Sequence, residues 1–193
     1  MFKTALTLTL LCFSQTLFSQ TYNFGLNSFS FLNSMYSARS AGLGSNLISI
    51  SDKDIGLTVE NPSLLNEDHI RGFQLNQALL PSGVQVGMLC YAFKTKVGIF
   101  SPVIRFQNYG AFDGTDELGN STNTFSAIDY SVGINYGSAI SKTIKIGGGI
   151  YLLGSHLEVY SSLGIHATMG ATFTHPKQPF SASFSFGFGW LCG

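Results

Sequence analysis

The chain has 193 residues and no formal net charge, and only 10% of its residues are charged, against about 25% in ordinary soluble domains. Aromatic residues make up 13%, and 22 residues are glycine. That composition suits a sheet with one face in lipid better than a solvated globule, and the lack of a basic excess argues against nucleic acid as a partner.

The N-terminus reads as a secretory signal. Lys3 supplies a positive charge, Ala5 to Phe13 an apolar core, and Ser14 to Ser19 a more polar tail. Cleavage is expected just before Gln20, which makes residues 1–19 the signal peptide. Thr4, Thr7, Thr9, Ser14 and Gln15 interrupt the stretch too soon for a spanning helix, which needs about 18 or more apolar residues. Thr9-Leu10-Leu11 before Cys12 lacks the small residues of a lipoprotein processing site. Cleavage leaves Cys90 and Cys192, which make no disulfide framework, although one bridge between them stays open.

Residues 20–70 do not read as strands, apart from one short candidate over Asn46 to Ser51. Ser37-Ala38-Arg39-Ser40-Ala41-Gly42-Leu43-Gly44 is a run of small residues. Asp52 to Asp54 leads into a helical turn through Ile55 to Val59. Asn61-Pro62 closes it, because the residue before proline avoids the helical region. Two readings stand side by side: a loop-rich cap, and a plug packed into a barrel mouth. Arg39 lies in that run of small residues. A charge inside a barrel is costly unless paired, so Arg39 is expected to bond to lumen carboxylates such as Asp129 or to backbone carbonyls; a solvated Arg39 in a loop is the competing expectation.

Beyond residue 70 no run is apolar for long enough to be a spanning helix, and extended segments take over. Phe73 to Leu79, Val84 to Phe93 and Lys96 to Gln107 read as strands, with turns at Pro81-Ser82-Gly83 and near Lys94-Thr95-Lys96. Lys94 and Lys96 flank apolar runs, as residues at a membrane surface do. Pro102 predicts a bulge or bend. Asp113 to Asn123 reads as a long acidic loop. Period two then becomes clear. Ile128, Tyr130, Val132, Ile134 and Tyr136 alternate with Asp129, Ser131, Gly133, Asn135 and Gly137. Ile144, Ile146, Ile150 and Leu152 share a face. Leu163 to Phe173 and Phe180 to Trp190 each set apolar residues against Gly, Ser, Thr and His. His175-Pro176-Lys177-Gln178-Pro179 between them reads as a stiff turn.

Strands of roughly 10 to 12 residues match a tilted bilayer crossing rather than the usual soluble length. The fold class expected is all-β, an antiparallel transmembrane barrel. A secreted β-sandwich is the competing reading, opposed by the near-absence of Lys and Glu on the polar faces. About seven spanning strands are expected, whereas single-chain bacterial barrels use an even number, eight or more. The chain is therefore expected to be the N-terminal part of a longer protein, with residues 71–193 a partial barrel.

Chemistry-bearing motifs are weak, and no enzyme, cofactor or metal site is expected. His69, His156, His166 and His175 lack metal-ligand spacing, and His166 falls on a polar face where a lumen hydrogen bond suits it. Gly147-Gly148-Gly149 has no following Gly-Lys-Ser/Thr and is not a phosphate loop; it suits a strand bend or a close plug. Asp113-Gly114-Thr115-Asp116-Glu117 departs from a calcium loop at Leu118, where glycine is required. No Gly-x-Ser-x-Gly elbow occurs.

Three runs in order, Phe31-Leu32-Asn33, then Ser37 to Gly44, then Asn61-Pro62-Ser63-Leu64-Leu65, resemble the N-terminus of the PorQ/PorV family. These are outer-membrane proteins of the type IX secretion system in Bacteroidetes. Asn108 to Asp113, Phe125 to Tyr130 and Leu157 to Ser162 resemble the PorQ branch more than the PorV branch. The resemblance spans roughly residues 27–183 and fades after Phe184. It implies a FadL-like barrel with an N-terminal segment inside, and family-motif positions at Ser37, Ala38, Arg39, Gly42, Gly44, Asn61 and Pro62. It also implies an anchoring role in the cell-surface attachment complex. The partners would be outer-membrane lipid, a PorZ-like surface protein and, indirectly, PorU-like and PorV-like proteins. A FadL-like channel for hydrophobic ligands is the alternative.

Overall fold

A computed structural model describes residues 29–45, 47–80, 83–115 and 121–192. The expected signal peptide, Asn46, Pro81-Ser82, the tip 116–120 and the Cys192 side chain lie outside the described residues. The protein is all-β, with one antiparallel sheet. Its strands are β1 (Phe73–Leu79), β2 (Gln85–Tyr91), β3 (Phe93–Lys94), β4 (Ile99–Thr115), β5 (Ser121–Ala139), β6 (Ile144–Leu157), β7 (Tyr160–Thr174) and β8 (Ser181–Cys192). They pair in the order β1-β2-β4-β5-β6-β7-β8, with β3 beside β4. Among the described residues β1 and β8 are the open edges.

Residues 29–70 form no strand; the stretch 47–51 is irregular, so the short strand expected there is replaced by coil. The segment consists of short turns: the 3-10 turn Ser30–Asn33, helix α1 (Ala38–Gly42), and 3-10 turns Ile55–Val59, Pro62–Leu64 and Glu67–His69. Side chains start several of them. Ser37, Asp54, Asn61 and Asn66 each accept a hydrogen bond from a backbone N–H of the following turn, as N-caps do. Gly44, just past α1, has φ +92°, a left-handed stop that glycine adopts without strain.

Period two becomes two faces because alternate residues point oppositely. Register links one outward row across seven strands: Leu75, Leu89, Ile104, Val132, Leu152, Ile165 and Trp190. All are apolar, and every one except half-buried Leu89 is among the exposed large hydrophobics. The opposite face carries Ser101, Arg105, Asp129, Ser131, Asn135, Thr168 and Thr172, all buried beneath residues 29–70. Polar residues therefore lie inside and apolar ones outside, the reverse of a soluble sheet packed on a core. A smaller apolar cluster, including Phe31, Tyr36, Ile55, Leu65, Met88, Val103 and Tyr151, joins the N-terminal segment to the inner face.

Two expectations in this region need correction. Asp113–Thr115 and Ser121–Asn123 belong to strands, so the expected acidic loop is a hairpin that outruns its neighbours. Its length hid behind a bulge: register shifts between Asn108 and Gly110, so period two breaks there. Pro102 pairs regularly with Ile134, without a bulge. Its missing N–H shows on the other side, where pairing to β4 stops at Cys90 and resumes at Phe93. Proline thus splits one strand into β2 and β3.

Gly110 sits in the bulge at φ +88°, and a Cβ there would meet only the Gly83 carbonyl at 3.9 Å. Its requirement is conformational rather than steric. Gly110→Val should destabilise the fold by about 1–3 kcal/mol, while Gly189→Ala, in ordinary contact distances, should cost under about 1 kcal/mol. Denaturant midpoints of the two variants check this.

Candidate functional site

The site is the seat of residues 29–70 on the inner face. Its floor is a second transverse row, Gly137, Gly147, Gly170 and Ser185, one residue from each of β5 to β8. Three glycines in line make a furrow, and the turn Asn61–Leu65 lies in it. A Cβ on Gly147 would stand 2.3 Å from the Pro62 carbonyl carbon and 2.4 Å from the Ser63 nitrogen. One on Gly137 would meet Leu65 Cβ at 2.7 Å, and one on Gly170 would meet Asn61 Oδ1 at 2.0 Å. Backbone rests on backbone there, which no residue with a side chain permits.

Polar side chains then lock the turn. Asn61 is fully buried. Its Nδ2 donates to the Ile48 carbonyl at 2.6 Å and to Thr172 Oγ1 at 3.3 Å. Its Oδ1 accepts from the Ser63 N–H at 3.1 Å and the Ser63 hydroxyl at 2.7 Å. The Ser63 and Thr172 hydroxyls bond at 2.7 Å, and Thr172 continues to Ser183 at 2.8 Å. Ser185 donates to the Glu60 carbonyl at 2.7 Å and Asn135 to the Thr58 carbonyl at 3.0 Å. Tyr151 donates back to Asn135 Oδ1 at 2.5 Å. The serines, threonines and asparagine of the strands' inner face thus satisfy carbonyls of a segment that forms no ladder of its own.

One buried cation sits beside this network. Arg105 on β4 is 4% exposed. Its Nε donates to Ser131 Oγ at 3.0 Å, and its guanidinium lies over the rings of Tyr36, at 5.4 Å, and Tyr151, at 4.8 Å. Such cation–aromatic contacts gain about 2 kcal/mol when desolvated. Tyr36 comes from the N-terminal segment and Tyr151 from β6, so Arg105 joins the two layers. Asp129 accepts from the Tyr109 hydroxyl at 2.7 Å.

The motif positions divide. Asn61 and Pro62 form the furrow contact. Ser37 caps α1, and Ala38, Arg39 and Gly42 lie within that helix. A Cβ at Gly42 or Gly44 would meet nothing within 4 Å, so only the φ of Gly44 demands glycine. Arg39 does not reach Asp129. It pairs with Asp52 of its own segment, and both side chains are partly exposed. The expected lumen pairing is therefore corrected; an exposed neighbour on the same layer competes without desolvation. Arg105, which no local sequence feature singles out, is a buried cation. The glycine run suits a close approach, and Gly147 meets Pro62 and Ser63 directly. Lys94 pairs with Glu67 at 2.5 Å, and His166 lies on the inner face with its ring 6.0 Å from that of Tyr151. Cys90 is a buried free thiol.

Among the described residues no group of three or more His, Cys, Asp or Glu could hold a metal ion. No helix among them is long and apolar enough to cross a membrane, which leaves strands untouched as spans. Comparisons with protein-family models, curated proteins and solved structures return no match.

Asn61→Ala should cost about 2–4 kcal/mol, because it strips a cap and leaves Thr172 and the Ile48 carbonyl short of a partner. Asn61→Asp should cost more, because it buries an unpaired charge. Thermal unfolding of both variants reads this.

His69 gives a pH prediction. Its Nδ1 accepts from the Asn66 N–H at 3.2 Å in a capping box, and burial holds its pKa below the ordinary 6.5. The unfolded residue takes up a proton first as pH falls. The turn's stability is therefore complete above about pH 6.5 and lost as pH drops through the folded value. Amide protection factors over residues 66–72, with rates corrected for the intrinsic pH dependence of exchange, should fall as pH drops below about 6.5, and His69→Gln should flatten that dependence.

Proposed function

We propose that this chain is a non-enzymatic component of an outer-membrane β-barrel, FadL-like in type, with residues 29–70 as its plug. The carrying observation is the polarity of the sheet. Its outward row is apolar across seven strands, while charge and hydroxyls gather inside under the N-terminal segment. In water a contiguous row of large exposed hydrophobics of that kind would be a liability. In lipid it is what a barrel presents. The lengths of β4 to β8, from 12 to 19 residues, suffice for tilted crossings of about 9–11 residues with ends projecting into water. A secreted sandwich would need a second sheet over this face, and the described residues supply none.

The edges of β1 and β8 support closure by further strands. Unpaired backbone in a bilayer costs several kcal/mol per group, so a lipid-embedded sheet must close.

The role that fits is an anchor in the type IX secretion attachment complex, holding a PorZ-like surface protein near a PorU-like sortase and its PorV-like partner. The ordered motifs support this. The furrow gives Asn61 and Pro62 a structural task. The β4–β5 hairpin projects beyond the sheet, pairs Phe112 with Phe125 at 5.5 Å, and belongs to a stretch, 106–141, without Lys or Arg. It is the surface most suited to a partner.

The experiment is fractionation of cells followed by affinity capture from the outer membrane. The protein should appear in the outer-membrane fraction with a PorZ-like protein bound; a soluble periplasmic or secreted product would end the membrane reading. Ile150→Arg, on the outward face, should impair insertion with a cost of about 2–4 kcal/mol near the bilayer centre, read by heat-modifiable gel migration.

A further inference from the structure

The two ends of the sheet carry opposite charge on their connections. At one end lie the entry into β1 and the connections β3–β4, β5–β6 and β7–β8. Each carries a cation: Arg71 at the entry, Lys94 and Lys96 at the first turn, Lys142 in the second and Lys177 in the third. None of these connections contains Asp or Glu. At the other end, among the described residues, the exposed charges are Asp113 on the β4–β5 hairpin and Glu158 between β6 and β7. The stretches 106–141 and 146–176 contain no Lys or Arg.

Most of the cations are unpaired. Lys94 holds Glu67, whereas Arg71, Lys96, Lys142 and Lys177 are exposed and join no ion pair among the described residues. Exposed Asp68 belongs to the plug turn Glu67–His69 rather than to a strand connection. Cations at successive connections, with no acid among them, make a positive rim.

Rings just inside the rim identify what it meets. On the outward face Tyr91 lies 6.4 Å from Phe93 between centroids, Phe93 6.0 Å from Phe100, and Phe100 5.1 Å from Tyr136. Phe73, opposite Tyr91, extends this chain to β1. The Tyr136 hydroxyl turns toward the β3–β4 connection and donates to the Val97 carbonyl at 2.8 Å. Farther from the rim, exposed Ile104, Val132 and Leu152 are aliphatic. From mid-sheet to edge the order is therefore aliphatic, aromatic, cationic. One leaflet of a bilayer has the matching order: hydrocarbon, interface, phosphate.

We propose that this rim docks on the headgroups of anionic phospholipids, with Arg71, Lys96, Lys142 and Lys177 at the level of the lipid phosphates. The proposal rests on the outer-membrane reading above. In that setting the long β4–β5 hairpin belongs outside the cell, so the rim faces the periplasmic leaflet and its glycerophospholipids. Phosphatidylglycerol, with a net negative charge, is favoured over phosphatidylcholine, whose choline cancels the phosphate. Closure of the barrel adds strands beyond β1 and β8 and leaves these turns at the membrane surface.

The test is native mass spectrometry of the full chain from detergent micelles doped with equimolar phosphatidylglycerol and phosphatidylcholine. Phosphatidylglycerol should be retained in preference by at least about 10-fold, since each cation near an anionic surface contributes about 5-fold. Lys96→Gln, Lys142→Gln and Lys177→Gln together should remove most of that preference, and Glu158→Gln at the far end should leave it intact. Lys94 is spared because it holds Glu67. Heat-modifiable migration checks that each variant is folded; if the triple variant is not, Lys142→Gln alone should lower the preference about 5-fold. Equal retention of the two lipids by the folded wild type overturns the proposal and leaves the membrane reading in place. Undiminished preference in the folded lysine variants also overturns it. A chain that stays soluble without detergent ends both readings.

Discussion

Backbone can lie on backbone only where side chains are missing, and Gly137, Gly147 and Gly170 remove them in one line across β5, β6 and β7. The seat of the plug follows from that line. The Asn61–Leu65 turn drops into the furrow, and contact at this distance leaves no room for water between the layers. Every polar group of the turn must then find a protein partner, and Asn61, Ser63, Thr172 and Ser185 provide them. Tyr36 of the same segment lies over Arg105. A sheet with alanine or valine in that row would hold the turn farther away and lose the network that depends on closeness.

Alternation supplies the second constraint. The same strands that gather glycine and hydroxyls inside must place Leu75, Val132, Leu152 and Trp190 outside. One-residue steps between faces leave no freedom to soften either surface. Some outward glycines lie under aromatic rings: Phe106 folds over Gly87 and Tyr130 over Gly154, so the outer surface stays apolar where a side chain is lacking. The proposed membrane setting gives both faces a medium: lipid outside, and a polar lumen filled by the plug inside.

Legibility in the sequence followed local regularity. β7 and β8 announced themselves because period two runs through them unbroken, and β1 was bounded by turn residues at both ends. β4 runs longer than its sequence pattern shows, since the bulge near Tyr109 shifts the parity and the polar run after it resembles a loop. The helical turn over Ile55–Val59 and its end before Pro62 were readable from local turn chemistry, whereas the seat of Pro62 against Gly147 was not. The hydrogen bond from Asn61 to Thr172 spans 111 residues, and no spacing signals it. Arg39 drew attention because its neighbours are small, yet it found Asp52 close by. Arg105 looked like one more polar position on a strand. Its burial depends on Tyr36 and Tyr151 arriving from two distant segments, which only the assembled layers bring together.

Amide hydrogen exchange over residues 55–65, in the full protein in lipid, tests the central claim most directly when the wild type is compared with Gly147→Val. The account predicts strong protection of these amides in the wild type. In the variant, protection should fall by a factor of about 10–100, as loss of about 1–3 kcal/mol of seating implies, while β6 and β7 amides stay protected. Equal protection of the plug amides in both proteins would contradict it, because the segment would then be held by something other than the furrow.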